Sequence, residues 1–472
     1  MSAITFGTDG WRAIIADQFT FTNVNIVSQA VAKWLQSINK SENGVVIGYD
    51  ARFLSREFAE HAAAVYAEMG IPVRFSDRIV PTPAISHAAL ANNAFGIVIT
   101  ASHNPPEYNG YKIKSPFGGS ATPDQISGVE EELKKIDESI TIQPFKERVK
   151  YGQIREMNLL EGYLQSIREN IDLNAIRESG LKVAHDPMYG AGSGILKQLL
   201  GEEHVKEIHG ERNPLFGGTA PEPVEQKLGE LCELTKKRCD IGIANDGDAD
   251  RITMVDENGD FVSSHKILSL LVEYLHTQKN LGGTVVKTFS TTDMIDKQTE
   301  KYNLPLIVTP IGFKYIAELM VQEDVLTGGE ESGGLAAKGH LPERDGIYIG
   351  LLIIEMMVRS GKSLSELVTG LFDEYGPHFY HRNDLLTDDA KKQAMISYCK
   401  GKKITDVLGF AVVNWDFKDG IKHHLEDGSW VLVRPSGTEP VLRIYAESND
   451  PGKVQNLVEE VAALVDLPII FD

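Results

Sequence analysis

The chain has 472 residues, 42% apolar and 24% charged, proportions that exclude a disordered, collagen-like or coiled-coil protein and suggest about three globular domains. With 47 Lys and Arg against 67 Asp and Glu, the net charge is −20, which repels nucleic acid and anionic lipid, so neither is an expected partner. Any anionic ligand must be held by a local basic or metal site against that field. Cys232, Cys239 and Cys399 are too few and too scattered for a disulfide framework or a zinc site. No secretory signal is read in MSAITFGTDGWR. The longest apolar stretch, 347–358, is broken by Gly350 and Glu355 and is too short to span a bilayer. A cytoplasmic protein is expected.

Three stretches read alike. FGTDGWR (6–12) is a turn ending in Arg12, ambiguous by itself. The first stretch then opens with the apolar strand VVIGYD (45–50) and a helix whose buried face carries Phe58, Ala62, Val65, Tyr66 and Met69. A second helix follows PTP (81–83), and the strand FGIVIT (95–100) runs into the polar loop ASHNPPEYNG. The second stretch begins LKVAHD (181–186), with helices expected near 195–200 and over 224–237, and its strand DIGIA (240–244) enters NDGDADR. The third begins TVVKTF (284–289), with a helix near 293–302, the strand LIVTP, a helix over 313–321, and DVLTG running into GEESGG. The strand starts at 45, 181 and 284 mark an imperfect repeat of domain-sized βαβ units. Each copy puts a polar loop at the carboxyl end of a strand, where open α/β sheets bind ligands.

The last part differs. SWVLV (429–433), RPSGTEP and VLRIYAES (441–448) read as two strands around a tight turn. A helix follows near Asp450 with Val454, Leu457, Val458, Val461 and Leu464 on its apolar face. This is a smaller α+β domain, joined through YGPHFY (375–380), and with no low-complexity linker one compact body is expected.

DGDADR supplies Asp246, Asp248 and Asp250 at alternate positions, from which carboxylates can converge on one hard cation such as Mg²⁺. With Glu257 they also match the charged positions of an EF-hand loop. Arg251, however, stands where that loop needs glycine, and strands rather than helices flank it. Arg251 beside the acids suits a site holding metal and anion together. In TASHNPPEYNGYK, Ser102 and His103 follow a strand directly and Asn104–Pro105 turns the chain. Alone such a serine is a turn former; beside Lys112 and a metal loop it has the parts of covalent phosphoryl chemistry. RPSGTEPVLRIY sets Ser436, Gly437 and Thr438 between Arg434 and Arg443, a cradle for a dianionic phosphate or an ordinary hairpin turn. In GGEESGG, Glu330 can accept from vicinal hydroxyls while glycines let the backbone approach.

In this order and these positions the loops resemble the α-D-phosphohexomutase family, over nearly the whole chain. The resemblance implies three related α/β domains and a C-terminal α+β domain, heart-shaped around a central cleft. They are expected at 1–150 with the serine loop, 151–256 with the metal loop, 257–376 with the sugar loop and 377–472 with the phosphate loop. It implies that Ser102 is the phosphoserine, and that Asp246, Asp248 and Asp250 bind Mg²⁺ together with it, Arg251 lying alongside. Glu330 and Ser332 would bind sugar hydroxyls; Arg434, Ser436, Gly437 and Thr438 would hold the nonreacting phosphate. Arg12, His103, Lys112 and Lys287 would line the cleft, with His103 and Lys112 both open as the proton carrier.

The implied reaction interconverts a hexose 1-phosphate and 6-phosphate through a bound 1,6-bisphosphate, with glucose 1,6-bisphosphate as activator. GEESGG and IGFK (311–314) look like glucose-type members, Gly334 replacing a histidine of mannose- and glucosamine-handling ones. Glucose is therefore the expected sugar, with a mannose or dual-specificity mutase as the alternative. A metal-dependent sugar phosphatase and a noncatalytic sugar-phosphate sensor are the readings from other classes. Oligomeric state is not legible.

Overall fold

Runs of Val and Ile bounded by Gly, Asp and Pro build the sheets of the computed structural model, which describes residues 4–7, 9–436 and 441–466. The first sheet joins β1 (Trp11–Ile14), β2 (Val45–Tyr49), β3 (Val73–Ser76), β4 (Phe95–Ile99), β5 (Tyr108–Lys114) and β6 (Ile154–Met157) in the order β1-β5-β4-β2-β3-β6. β2 and β4 are buried at every residue, as parallel strands covered on both faces are. The second sheet joins β7 (Val183–Asp186), β8 (Val205–Glu207), β9 (Ile241–Asn245), β10 (Ile252–Val255) and β11 (Phe261–Val262) in the order β11-β10-β9-β7-β8. In the third copy β12 (Thr284–Thr288) runs parallel to β13 (Leu306–Thr309), and β14 (Val325–Gly329) runs antiparallel to β15 (Leu335–Ala337). The fourth sheet is antiparallel, β16 (Phe379–Leu386), β17 (Asp406–Val407), β18 (Phe410–Asp416), β19 (Ile421–Leu425), β20 (Trp430–Pro435) and β21 (Val441–Ser448) standing in the order β16-β21-β20-β19-β18-β17. Three α/β domains followed by an α+β domain are thus the architecture.

The loops that the sequence singled out share one placement. Each leaves a strand and returns antiparallel to it: β4 to β5, β9 to β10, β14 to β15 and β20 to β21. In the first three the return strand fixes both ends of the loop by backbone hydrogen bonds, so a short polar loop is held at the end of a strand pair without a core of its own.

Several boundaries differ from expectation. The first sheet continues to Met157 through β6 and the second to Val262 through β11, past the expected limits at 150 and 256. The helix expected over 224–237 is a 3₁₀ turn, Glu225–Lys227, and an α-helix, Gly229–Arg238, separated at Leu228. Pro221 and Pro223 hold the chain extended up to Val224. Phe379 and Tyr380, read as linker, begin β16 and pair with Ser448 and Glu447. The chain divides into two compact units, Met1–Thr284 with Gly312–Leu367, and Val285–Ile311 with Val368–Asp472. No helix among the described residues is long and apolar enough to cross a membrane.

Within the second unit, Phe289 packs with Trp430, Leu432 and Tyr445, and the helix Pro451–Ala463, capped by Asp450, buries Val454, Leu457, Val458 and Val461. His423 on β19 is 1% exposed, and its Nδ1 donates to the Val431 carbonyl at 3.3 Å. Burial pushes His423 down to about 4, below the ~6.5 of an unfolded chain. The unfolded state therefore binds more protons between those values, so stability held above pH ~6.5 is lost on acidification toward pH ~4. We expect His423→Phe to flatten the pH dependence of urea unfolding by up to about 3 kcal/mol across that window; an unchanged slope would show that His423 is not the titrating group.

Candidate active site

Ser102 follows β4 after two residues and stands at φ 51°, a left-handed conformation that costs a residue with a Cβ about 1 kcal/mol or more. Its backbone is held from both sides. Its N–H donates to Thr100 Oγ1 at 2.9 Å, and Thr100 donates in turn to Asp50 Oδ2 at 2.6 Å. Arg52, fully buried, donates to the carbonyls of Ser102 (2.6 Å), Asn104 (2.6 Å), Pro105 (2.8 Å) and Tyr108 (3.0 Å). Asp50 pairs with Arg52 at 3.3 Å, and the Phe216 ring lies 4.9 Å from the guanidinium. One guanidinium thus clamps the whole serine loop. Sequence reading passed over Arg52 although the signal was there, an acid and an arginine one residue apart at the end of a buried strand.

Ser102 Oγ donates to Asp246 Oδ2 at 2.6 Å and lies 3.4 Å from His103 Nδ1. Asp246, Asp248 and Asp250 are all fully buried, and one oxygen of each lies within 4.8 Å of the others. The metal loop approaches the serine loop so closely that a Cβ on Gly247 would stand 2.5 Å from the Ser102 carbonyl oxygen. Asp246 Oδ1 accepts the Arg251 N–H at 3.1 Å, and Thr82 holds Asp248 through its hydroxyl at 2.5 Å and its N–H at 3.0 Å. Burial, then the charges of Asp250 and Asp248, push Asp246 up to about 8. Against the cost of burial, Lys112 and Thr82 hold Asp248 well below the usual carboxylate range.

Two carboxylate oxygens, Asp248 Oδ1 and Asp250 Oδ1, are buried without a hydrogen-bond partner. Three convergent carboxylates, two unpartnered oxygens and an acid forced to hold its proton fit a hard divalent cation. The calcium-loop reading fails. Glu257 accepts from Ser363 Oγ at 2.6 Å and from Ser365, away from the cluster, and β9 and β10 flank the loop.

Lys112 occupies the other side of the acids. Its Nζ lies 2.7 Å from Asp9, 2.8 Å from Asp248 and 2.9 Å from Asp250. Burial alone would lower its pKa, but the three carboxylates raise it well above the ordinary lysine value. In this arrangement the ammonium stands as a counter-charge to the three acids. His103 is the opposite case, held well below its ordinary value by burial and by Arg251, Arg12 and Lys112. It is neutral at pH 7.

Around these groups the first unit gathers further cations and the sugar loop. Arg12 Nη1 donates to Asn104 Oδ1 at 3.0 Å, and Arg251 Nη1 stands 3.7 Å from Glu222. The Nε of each is buried without a partner. Glu330 is buried and pushed by burial up to about 7, Arg344 opposing the shift. Ser332 follows in the same turn, half-buried. Asp9 and Arg344 went unread in the sequence because neither sits in a motif with a chemistry of its own.

The second unit holds the remaining expected residues. Lys287 is enclosed by the Thr292 carbonyl (3.0 Å), Asp293 (3.0 Å) and Asp296. Arg434 Nε donates to Asp419 Oδ1 at 3.0 Å. Ser436 is buried, its N–H donating to the Val441 carbonyl at 2.9 Å; Gly437 and Thr438 lie outside the described residues.

Known proteins match this arrangement from end to end. Four consecutive family profiles fit: phosphoglucomutase/phosphomannomutase alpha/beta/alpha domain I over residues 3–140, domain II over 161–259, domain III over 263–375 and the C-terminal domain over 386–464. The chain is 32% identical to a phosphoglucomutase/phosphomannomutase of Thermococcus kodakarensis, with 96% of each chain covered. It is 30% identical to a phosphoglucosamine/phosphogalactosamine mutase of Sulfurisphaera tokodaii, covering 98% of this chain and 99% of that one. A crystal structure from Thermus thermophilus, described as a phosphomannomutase, superposes with a TM-score of 0.87 at 34% identity, covering 99% of this chain and 100% of that one. With the loops, the domains and the relatives in agreement, the chain belongs to the phosphoglucomutase/phosphomannomutase family of phosphoryl-transferring isomerases.

Proposed function

We propose that the protein interconverts glucose 1-phosphate and glucose 6-phosphate through a phosphoserine at Ser102 and a bound 1,6-bisphosphate. The observation that carries this reading is Ser102 Oγ, held in a left-handed turn and 2.6 Å from one of three clustered, buried carboxylates. Phosphoserine Ser102 donates to the free hydroxyl of the sugar phosphate: the P–O bond to Oγ breaks as the bond to the sugar oxygen forms. The proton of that hydroxyl ends on Oγ, and neutral His103, its Nδ1 3.4 Å away, is the group placed to carry it. The bisphosphate then turns and returns its other phosphoryl group by the reverse step, which makes glucose 1,6-bisphosphate the activator that primes Ser102.

Asp246, Asp248 and Asp250, with an oxygen on Ser102, would hold Mg²⁺, which when bound offsets charge on the transferring group. Arg12 and Arg251 complement that charge from the protein side. Glu330 and Ser332 accept and donate to sugar hydroxyls. Arg434, Ser436, Gly437 and Thr438 are assigned to the nonreacting phosphate, and Lys287 to its surroundings. A sugar loop reading GEESGG and a segment reading IGFK favour glucose over mannose and amino sugars.

The test is conversion of glucose 1-phosphate, mannose 1-phosphate and glucosamine 1-phosphate to their 6-phosphates, with Mg²⁺ and catalytic glucose 1,6-bisphosphate. At least about a tenfold preference in kcat/KM for glucose is expected. Equal rates would make it a dual-specificity mutase, a glucosamine preference would reassign the sugar, and free phosphate without isomerisation would make it a phosphatase.

A further inference from the structure

Gly333 and Gly334 are glycines for different reasons. Gly333 stands at φ 93°, where a side chain is strained. Gly334 lies outside that region, and its constraint is space: a Cβ there would collide with Arg344 Cδ and stand 3.0 Å from Glu330 Oε2. The arginine comes from another segment, just before the helix Gly346–Ser360, and is 5% exposed. Its Nη2 reaches Asp250 Oδ2 at 2.6 Å and also Asp9, while Nη1 lies 3.6 Å from Glu330 Oε2. Its face lies over the Phe313 ring, 5.5 Å from the centroid.

We propose that Arg344, threaded through the gap left by Gly334, is a specificity-determining residue that fixes Glu330 and so selects the pair of vicinal sugar hydroxyls its carboxylate accepts. This rests on the function proposed above. A guanidinium is a rigid planar fork. With Asp9 and Asp250 anchoring Nη2 and Phe313 beneath the plane, Nη1 has one place to stand, and it stands beside Glu330. Glucose and mannose differ in the orientation of one hydroxyl, so discrimination depends on a carboxylate that cannot swing to meet either. Asp250 belongs to the metal loop and Glu330 to the sugar loop, so one side chain sets the distance between the transferring group and the sugar.

Gly334→Ala keeps every charge while displacing the arginine stem and crowding Glu330 Oε2; Arg344→Gln keeps a planar amide, removes the charge and leaves the space beside Glu330 untouched. The measurement is kcat/KM for glucose 1-phosphate and mannose 1-phosphate in wild type, both variants and the double variant Gly334→Ala/Arg344→Ala. The glucose-to-mannose ratio is expected to fall about tenfold in each single variant, in Gly334→Ala mainly through KM. The double variant is expected to be no worse than the poorer single one, because both lesions act on one contact. A ratio within about twofold of wild type in both single variants overturns the inference, even where both rates fall together, because that pattern marks an arginine that only holds the fold. A wild-type ratio near one overturns it at the outset. A wild type that isomerises neither sugar overturns the proposed function, and this inference with it.

Discussion

Ser102→Ala is expected to lose mutase turnover by about 10⁴-fold or more, while still binding hexose phosphate and melting within a few degrees of wild type. The fold should survive because the contacts that hold this position are to its backbone: Thr100 accepts its N–H and Arg52 donates to its carbonyl. Alanine tolerates the left-handed turn no worse than serine does. What disappears is the oxygen that bonds Asp246. Labelled phosphate from glucose 1,6-bisphosphate should therefore enter the wild type and not the variant. Retained turnover in Ser102→Ala would remove the phosphoserine from the mechanism.

Asp246→Asn is expected to abolish stabilisation by Mg²⁺ and lower turnover by at least about a thousandfold, without destabilising the metal-free protein. Asp246 is pushed up to about 8 by burial and by Asp250 and Asp248, so at neutral pH the metal-free carboxyl carries a proton. Asparagine is nearly its isostere: its oxygen can still accept the Arg251 N–H, and its amide can donate to Ser102. The sign of the pH effect follows. A carboxyl whose folded pKa lies above its unfolded ~3.8 binds more protons in the fold, so metal-free stability falls as pH rises from ~4 to ~8. In Asp246→Asn that part of the decline disappears. Thermal unfolding with and without Mg²⁺ across that range checks both statements. A variant that still gains stability from Mg²⁺ would place the cation elsewhere.

Much of this site was legible from local patterns. Alternating acids in DGDADR, a serine at a strand end and a glycine-flanked glutamate are each contained within a few residues, and strand periodicity put each loop at the end of a strand. Their partners were not legible, because they come from far along the chain: Thr82 reaches Asp248 across 166 residues, and Arg344 reaches Asp9 across 335. Lys112 was read by type, as a cation near a nucleophile; only the fold shows the three carboxylates from two loops that surround its charge.

The antiparallel returns β5 and β15 were likewise unread, and β10 was read as a strand without its partner, since a short apolar run after a loop carries no mark of the strand it will pair with. By itself the sequence determined the α/β repeats, the C-terminal α+β domain and the residue types of the chemistry, because these follow from side-chain period and short spacing. Tertiary structure decided which charges face one another. That set the direction in which His103, Lys112 and Asp246 move from their ordinary values, because burial and distance, not order along the chain, set electrostatic energy.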